Sequence, residues 1–471
     1  MAMALTPEEA VVGLFERTAT TVPAYRKFLG EHGIDAASIV SFADFTKLPL
    51  VDKPGYLRRY PLPELCRDGR IGDVIAMSSG STGEPTPWPR SVADERRTAA
   101  RFEQIFRDAF RADERKTLAV VCFALGTWVG GLFTLGCVRE LATRGYPVTA
   151  VAPGNDKTEI LRVIRTLAPH FDQVVLLGYP PFLKDVIDTG RAEGVPWADY
   201  AIKLVTAGEV FSEEWRTLVA RRAGDIDPGT AIASLYGTAD GGVLANETPL
   251  SVEIRRMLAA RPEVAHALFG ESRLPTLAQY DPYHRYFEHI DGTLVVSGDS
   301  GVPLIRYHIA DEGGLIPYRR MLDFLAAHDL RPSVPGFEQP FVFVFGRSHF
   351  TVSCYGANVY PENITVGLEQ PGISDHITGK FVLEVLETDD RDRALRVTVE
   401  LAPAATPPDD LDDRIAESVR TELRRLNSEF AHYVPLERQR PRIVLLPHGD
   451  PGYFPLGVKH RYTRPARDTR A

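Results

Sequence analysis

The chain has 471 residues, of which 44% are hydrophobic and 25% are charged, and its formal net charge is −9. A chain of this length exceeds one ordinary hydrophobic core, so we expect a globular protein of two or three domains. The acidic balance argues against broad binding of nucleic acid or of an anionic membrane. The apolar runs are too short to span a bilayer, which argues against an integral membrane protein.

The N-terminal segment and the cysteines indicate the compartment. The first residues lead directly into an acidic, amphipathic helix pattern, and no secretion signal is visible. Four widely spaced cysteines without a Cys-x-x-Cys pair predict buried or unbridged thiols, with neither a disulfide framework nor a zinc site. We therefore expect a cytoplasmic protein. The cysteines are Cys66, Cys122, Cys137 and Cys354.

A mainly helical stretch over residues 5–66 leads to a segment, SSGSTGEPT at 78–86, with the composition of a phosphate-binding loop. The segment follows a strand-like run at 74–77, and a helical pattern starts near Val92. Its glycines let the backbone approach an anion, and its hydroxyl groups donate hydrogen bonds. The spacing differs from that of the Walker loop, and Glu84 stands where a phosphate-binding lysine is sought. A flexible connection is the alternative.

Short apolar runs then alternate with helical patterns from residue 117 to about residue 300. Such alternation predicts α/β layers, with ligands bound where strand ends meet loops. The predicted strands are 117–121, 148–151, 173–177, 202–205 and 231–235.

The composition changes around residues 342–345, after a stretch that is rich in proline. Beyond it, strand patterns at 380–385 and 396–401 precede a helix from 409 to about 430. We therefore expect a large multi-layer α/β domain over residues 1–345 and a smaller α+β domain over residues 346–471.

Three further segments carry chemistry-bearing residues: SLYGTADGG (234–242), PLIRYHIAD (303–311) and FGRSHFTVSCYGANVYP (345–361). Together with the loop at 78–86, they resemble in order and spacing the motifs of the adenylate-forming acyl-CoA synthetases, and most of all the phenylacetate–CoA ligase branch. The resemblance covers essentially the whole chain. It implies ATP-dependent activation of a carboxylic acid to an acyl- or aryl-adenylate with release of pyrophosphate, followed by transfer to CoA to give a thioester.

The resemblance also implies the cofactors and partners. ATP and Mg²⁺ are expected, with CoA as co-substrate, a small-molecule acid as substrate, a mobile C-terminal domain and a homodimer. An aryl acid fits the resemblance best, although the residues do not separate it from a medium-chain or heterocyclic acid. Two alternatives stay open: transfer to an amine or to a carrier or enzyme thiol, and a non-catalytic nucleotide-binding relative.

Carried over by motif, several residues are expected to bind the nucleotide. Tyr236 is expected to stack on adenine and Asp311 to accept hydrogen bonds from the ribose hydroxyls. Gly208 and Glu209 match an adenine-side turn. The ordinary alternatives are core packing for Tyr236, a cap for Asp311 and a plain strand-end turn for Gly208 and Glu209. The full nucleotide set is Ser78, Ser79, Gly80, Ser81, Thr82, Gly83, Gly208, Glu209, Tyr236, Gly237, Thr238, Asp311 and Arg347.

Asp240 stands where the resemblance places a glutamate that binds Mg²⁺. An aspartate is also a hard oxygen ligand, but its side chain is one methylene shorter. Ala239 replaces the serine or threonine expected to touch the α-phosphate, so that contact is in doubt unless Thr238 supplies it.

Two positions near the C-terminus concern the small domain. Lys459 resembles the mobile lysine that stabilises charge during adenylation, and with Thr82 it is a candidate catalytic residue. Val458 precedes the lysine where a glycine is expected, and a lysine in a basic tail is the alternative. His349, beside the hinge residue Arg347, replaces an aspartate; an ordinary surface histidine is equally consistent with the sequence.

The run FALGTWVGGLF at 123–133 corresponds to the wall of the acyl pocket. Phe123 and Trp128 are expected to form an apolar slot, and Gly130 and Gly131 to leave room for the acid. Plain packing of a helix or strand is the alternative.

Overall fold

The computed structural model describes residues 5–77, 86–127, 129–271, 274–334, 336–347, 352–354, 357–387, 393–403, 405–427, 430–431, 434, 436–455, 460 and 462–463. The helices are α1 (Pro7–Thr21), α2 (Pro23–Glu31), α3 (Phe42–Phe45), α4 (Leu62–Leu65), α5 (Val92–Asp108), α6 (Val129–Thr143), α7 (Lys157–Leu167), α8 (Pro180–Ala192), α9 (Glu213–Arg222), α10 (Pro249–Ala259), α11 (Pro262–Phe269), α12 (Tyr318–Ala327), α13 (Pro361–Leu368) and α14 (Leu411–Leu426). The strands are β1 (Val74–Met77), β2 (Pro87–Arg90), β3 (Thr117–Val121), β4 (Val148–Val151), β5 (Gln173–Gly178), β6 (Lys203–Ala207), β7 (Ile232–Thr238), β8 (Gly242–Asn246), β9 (Thr276–Gln279), β10 (Arg285–Ile290), β11 (Thr293–Gly298), β12 (Leu304–Ile316), β13 (Phe341–Arg347), β14 (Val352–Cys354), β15 (Ala357–Val359), β16 (Ile377–Glu387), β17 (Arg393–Leu401) and β18 (Arg442–Leu446).

Within the described residues, eleven strands form one mixed sheet in the order β10-β11-β12-β13-β9-β8-β7-β6-β5-β3-β4. The strands from β4 to β7 pair in parallel, and the pairings from β7 to β10 are antiparallel. The sheet therefore changes character at β7, whose carboxyl end carries Tyr236.

The parallel half forms because its strands are continuous apolar runs. Every residue of β3 and of β5 is buried, as expected for central strands that are covered by helices on both faces. Helix α5 begins with a capping box, in which Ser91 accepts from the N–H of Asp94 and the Asp94 side chain accepts from the N–H of Ser91. The apolar side of α5, including Phe102 and Phe106, packs in the core with these strands.

The N-terminal helices cover the antiparallel half. Phe15 of α1 and Tyr25 of α2 are buried in one core with Val296 of β11 and Tyr307 of β12. A parallel bridge pairs Val51 with Tyr307, so the chain just after the helices is fixed to the sheet.

The C-terminal region has its own sheet, in the order β16-β17-β18. Phe381, Val397 and the α14 residue Val419 lie in its separate hydrophobic core. The fold class is thus the predicted one, with a large mixed α/β part and a smaller α+β part. The division after residue 345 stays a prediction; strand β13, which pairs with the large sheet, continues to Arg347.

Most predicted elements match the structure. Strands 117–121 and 148–151 lie where the sequence indicated. One expectation was incomplete: β2 separates the glycine-rich segment from α5, because Pro87–Arg90 pairs with Val74–Met77 as a hairpin. The four cysteines are buried thiols. In the part of the chain that the structure describes, no helix combines the length and apolarity that a membrane crossing requires.

Candidate active site

Several predicted site residues meet at the carboxyl edge of the parallel strands. Phe123 follows β3, Gly208 and Glu209 follow β6, and Tyr236 lies near the end of β7. Ligands of α/β sheets bind at this edge, because the strand ends open there into loops. We therefore expect the groups that bind ligands to lie at this edge.

Some predicted residues lie outside the described residues: Ser78, Ser79, Gly80, Ser81, Thr82, Gly83, Glu84, Trp128, His349, Val458 and Lys459. The structure does show where the segment 78–85 begins and ends. Met77 pairs with Pro87 across the β1–β2 hairpin, and the Met77 N–H donates to the carbonyl of Thr127 at 2.7 Å. The hairpin that carries the proposed phosphate loop is thereby attached beside the proposed acyl pocket.

The described residues that the sequence predicts for the acyl pocket pack closely. The rings of Phe123 and Tyr179 meet edge to face, with centroids 5.1 Å apart. A Cβ added at Gly130 would touch the Phe123 side chain at 3.5 Å, and one at Gly131 would lie 2.4 Å from the carbonyl oxygen of Ala124. Glycine is therefore required at position 131 by close backbone approach.

The turn after β6 brings its backbone close to the ring of Tyr179. Gly208 has a φ of +86°, and a Cβ there would lie 2.8 Å from the Tyr179 ring. A residue with a side chain would be strained at this position. The next residue, Glu209, accepts a hydrogen bond from the Tyr462 hydroxyl at 2.6 Å, so the C-terminal segment reaches this turn.

Tyr236 and Asp311 are brought together. The Tyr236 hydroxyl donates to Asp311 Oδ2 at 2.7 Å, and the Tyr236 ring stacks at 6.4 Å from that of Phe287. Both residues are buried. Arg347 lies opposite Asp311 in the β12–β13 pairing, so three of the predicted nucleotide residues share one part of the sheet.

Two buried arginines donate hydrogen bonds to the backbone of the turn at 238–242. Arg90 Nη2 donates to the carbonyl oxygens of Ala239 at 2.7 Å and Asp240 at 3.0 Å. Arg285 Nη2 donates to the carbonyl of Gly241 at 3.2 Å. Within the turn, Thr238 Oγ1 accepts the Gly241 N–H at 2.8 Å. The carbonyl oxygens of three successive residues, 239 to 241, thus accept hydrogen bonds from two guanidinium groups.

Burial lowers the pKa of both arginines, that of Arg285 to about 10, where the neighbouring Arg90 lowers it further. A pKa of about 10 leaves Arg285 charged at neutral pH. The sequence reasoning missed these arginines. Arg90 stands four residues after the segment 78–86, but nothing local in the sequence indicates which backbone groups its side chain will contact.

Asp240, the predicted metal ligand, is almost fully buried, at 1% exposure. Its Oδ2 accepts the Tyr307 hydroxyl at 2.5 Å, and its Oδ1 lies 2.9 Å from Lys53 Nζ in an ion pair. Oδ2 is thus hydrogen-bonded, whereas Oδ1 is ion-paired with the Lys53 ammonium and has no hydrogen-bond partner among the described residues. Among the described residues, no group of three acidic, histidine or cysteine side chains is placed to hold a metal ion. The residues around Asp240 do not fit a directly bound Mg²⁺.

Polar contacts join the C-terminal region to the large sheet region. Lys184 Nζ of α8 donates to the carbonyl of Ile377 at 2.8 Å. Arg222 Nη2 of α9 donates to the carbonyl of Ser374 at 2.7 Å. Ser212 also donates to the Glu369 carboxyl group. Lys184 Nζ and Arg222 Nη1 also share Asp188 Oδ2 of α8, at 3.0 and 2.7 Å. We call this boundary the docking interface.

Two curated relatives align with much of the chain. The phenylacetate–coenzyme A ligase of Aromatoleum evansii is 22% identical over 396 residues, which cover 82% of this chain and 78% of that protein. The phenylacetate–coenzyme A ligase of Thermus thermophilus is 24% identical over 311 residues, which cover 64% of each. The chain is phenylacetate–CoA ligase-like. No protein-family model matches it.

Solved structures show the same fold for the phenylacetate–CoA ligase-like chain. A 2-hydroxyisobutyryl-CoA ligase in the postadenylation state aligns with a TM-score of 0.66 and 17% identity, over 98% of this chain and 90% of that one. The same enzyme in the thioesterification state aligns with a TM-score of 0.53 and 17% identity, over 99% and 91%. The resemblance drawn from the four motifs is confirmed, and the fold is that of an adenylate-forming ligase.

Proposed function

We propose that the protein is an AMP-forming acid–thiol ligase. It activates a carboxylic acid with ATP, releases pyrophosphate and transfers the acyl group to the thiol of CoA. The observation that carries the proposal is the convergence of motif residues at one sheet edge. Tyr236 donates to Asp311 at 2.7 Å, and Gly208 follows β6, the strand that pairs with β7. The relatives named phenylacetate–coenzyme A ligase support the same chemistry.

The chemistry needs activation because a carboxylate has no good leaving group. In the first step a carboxylate oxygen attacks the α-phosphorus of ATP, and the bond to pyrophosphate breaks. In the second step the sulfur of CoA attacks the acyl carbon, the thiol proton is lost, and AMP leaves with the electron pair of the broken bond. Holding both reactants in line supplies much of the rate enhancement.

The chain's residues divide this work in the proposal. Tyr236 and the turn at 208–209 bind the purine, and Asp311 binds the ribose. Arg347 lies opposite Asp311 in the β12–β13 pairing. Residues 78–83, with Thr82 among them, surround the β- and γ-phosphates, while Thr238 replaces the contact that Ala239 lacks. The magnesium ion is proposed to enter with the triphosphate; no step is assigned to it at Asp240.

The placement of Lys459 beside the acid and the α-phosphate is also a proposal. Its support is the contact of Tyr462, three residues further on, with Glu209 at 2.6 Å. His460 Nε2 also lies 2.6 Å from the carbonyl oxygen of Phe381, so this part of the C-terminal segment is tied to β16. These two contacts support the proposal that Lys459 acts at the site, where its ammonium would stabilise charge on the α-phosphate.

The finer features belong to the same proposal. An aryl acid fits the enclosure by Phe123 and Tyr179, a small C-terminal domain over 346–471 moves between the two steps, and the active protein is a cytoplasmic homodimer. The proposal of two arrangements is supported by the higher TM-score with the postadenylation structure of 2-hydroxyisobutyryl-CoA ligase, 0.66, than with its thioesterification structure, 0.53.

The test is release of pyrophosphate by the purified protein with ATP and Mg²⁺, across aryl, heteroaryl and fatty acids, with and without CoA. We expect release that depends on one class of acid and accelerates with CoA, and a thioester detected by mass. Lys459→Ala should abolish the first step, whereas Lys47→Ala, at a side chain that is 74% exposed, should not change it.

Two other results would replace the proposal. Release that CoA leaves unchanged, with product appearing on an amine or a carrier thiol, would assign the alternative acceptor. ATP binding without release for any acid would assign the non-catalytic nucleotide-binding relative.

A further inference from the structure

The carboxylate of Asp240 is held by two side chains that come from places far apart in the sequence. Lys53 Nζ lies 2.9 Å from Oδ1, and the Tyr307 hydroxyl lies 2.5 Å from Oδ2. The side chains of Lys53 and Asp240 are 24% and 2% exposed. A buried carboxylate requires a compensating charge, and the ammonium of Lys53 supplies one.

Lys53 is positioned by the backbone. It opens a short helical turn, Lys53–Leu57, that Asp52 caps by accepting the Gly55 N–H at 2.6 Å. Just before the turn, the Val51 N–H donates to the carbonyl of Arg306 at 3.1 Å, and the His308 N–H donates to the carbonyl of Val51 at 2.9 Å. These bonds lie on either side of Tyr307 along β12. Lys53 and Tyr307 are therefore fixed relative to each other, and both contact the carboxylate of Asp240.

The ammonium also stands where a metal ion would need to bind. A cation directly ligated by Oδ1 would contact the Lys53 ammonium and be repelled by it. The aspartate itself is almost fully buried, with a side chain that is 2% exposed. On the backbone side of the turn, Arg90 and Arg285 add two further positive charges.

We propose that Lys53 takes the place of a divalent cation at Asp240 and acts as a positioning residue for the 238–242 turn. The divalent ion then reaches the reaction only on the triphosphate. The inference deepens the proposed function and rests on it for the role of the turn, but the ion pair itself does not depend on the reaction.

The first arm of the test measures metal binding directly. Mn²⁺ alone, and Mn²⁺ with a saturating α,β-methylene analogue of ATP, are titrated against the wild-type protein and Asp240→Asn, with bound ion followed by electron paramagnetic resonance. We expect the same Mn²⁺ affinity for both proteins. A fall in Asp240→Asn, of about tenfold or more for a lost metal ligand or its support, overturns the proposal.

The second arm tests the ion pair by a double-mutant cycle on the melting temperature. Lys53→Met leaves a buried carboxylate without its counter-charge and should lower the melting temperature, whereas Lys53→Met with Asp240→Asn should melt no lower than Lys53→Met alone. Lys47→Met, at an exposed lysine, is the matched control. Additive losses overturn the proposal.

The two proposals fail separately. A wild-type protein that releases no pyrophosphate with any acid contradicts the proposed function, while the cycle still reports on the pair. A protein that adenylates an acid but loses Mn²⁺ affinity in Asp240→Asn retains the function and restores Asp240 as a metal ligand.

Discussion

The turn at 238–242 and the docking interface are both polar, but they are built differently. At the turn, Lys53, Arg90 and Arg285 come from separate parts of the chain and converge on a few neighbouring residues. At the docking interface, Lys184 and Arg222 share Asp188 within the large part, and each donates to a different backbone carbonyl of the C-terminal region.

This difference bears on what each region can do. Groups that share partners resist change together, because moving one of them leaves several buried atoms without hydrogen bonds. If the C-terminal region moves away from the docking interface, Lys184 and Arg222 keep their shared partner Asp188, which belongs to the large part. The turn is suited to holding reacting groups in place, and the docking interface is suited to movement of the proposed small domain.

The largest expected effect comes from a substitution that removes hydrogen bonds to the turn at 238–242. Arg90→Gln removes a buried guanidinium that is bonded to two carbonyls, and we expect the free energy of unfolding to fall by about 3 kcal/mol, together with loss of adenylation. Urea denaturation and pyrophosphate release measure the two effects. Arg107→Gln is the control, since Arg107 is 43% exposed and pairs with Asp108 at the surface, where about 1 kcal/mol or less is expected. Equal losses in the two variants would contradict the shared network.

The next largest effect is expected from a substitution that lowers local stability at the docking interface. Lys184→Met removes the donor to the Ile377 carbonyl and should cost about 2 kcal/mol of local stability. In hydrogen exchange measured by mass spectrometry, amides of β16 should exchange faster, while those of β5 stay protected. Equal loss of protection in both strands would show that the interface is not separable from the large sheet.

A smaller effect concerns the contact between the two regions. Tyr462→Phe removes one hydrogen bond to Glu209, worth about 1 kcal/mol, so adenylation should slow about fivefold. Thioester formation from a supplied acyl-adenylate should keep its rate. Tyr453→Phe is the control, because the Tyr453 hydroxyl contacts Arg396 within the C-terminal region. A parallel fall in both half-reactions of Tyr462→Phe would argue against a role limited to adenylation.

The smallest effect is a pH dependence of the docking interface. Burial, opposed by the Ser212 hydrogen bond, raises the pKa of Glu369 from 4.5 to about 8, and the nearby Glu214 raises it further. The folded protein therefore retains a proton that the unfolded chain loses. Stability from this group is complete below pH 4.5 and declines as the pH rises to about 8.

Between pH 7 and pH 8 only the end of this decline is sampled, so we expect a loss of about 1 kcal/mol. The midpoint of urea denaturation at the two pH values measures it. Glu369→Gln should remove the dependence, and Glu193→Gln, at a surface carboxylate paired with Arg165, should retain it. A Glu369→Gln protein with an unchanged slope would assign the dependence to another group.

Much of the fold was predictable because it depends on local patterns. Apolar runs such as 117–121 form buried strands wherever they occur in an α/β chain, and turn residues such as Gly208 mark strand ends. The hairpin partner Pro87–Arg90 was missed, since two prolines in four residues do not read as a strand.

By itself, the sequence determined the strand and helix pattern, the order of the motifs and the resemblance they carry, because each depends on residues that are neighbours in the chain. Only the tertiary structure decided that Lys53 and Tyr307 hold Asp240 and that Arg90 holds the backbone beside it. Those contacts follow from which strands become neighbours in the sheet. A lysine at residue 53 has no local signal for the carboxylate it will meet, since the pairing of Val51 with Tyr307 brings the two together only after folding.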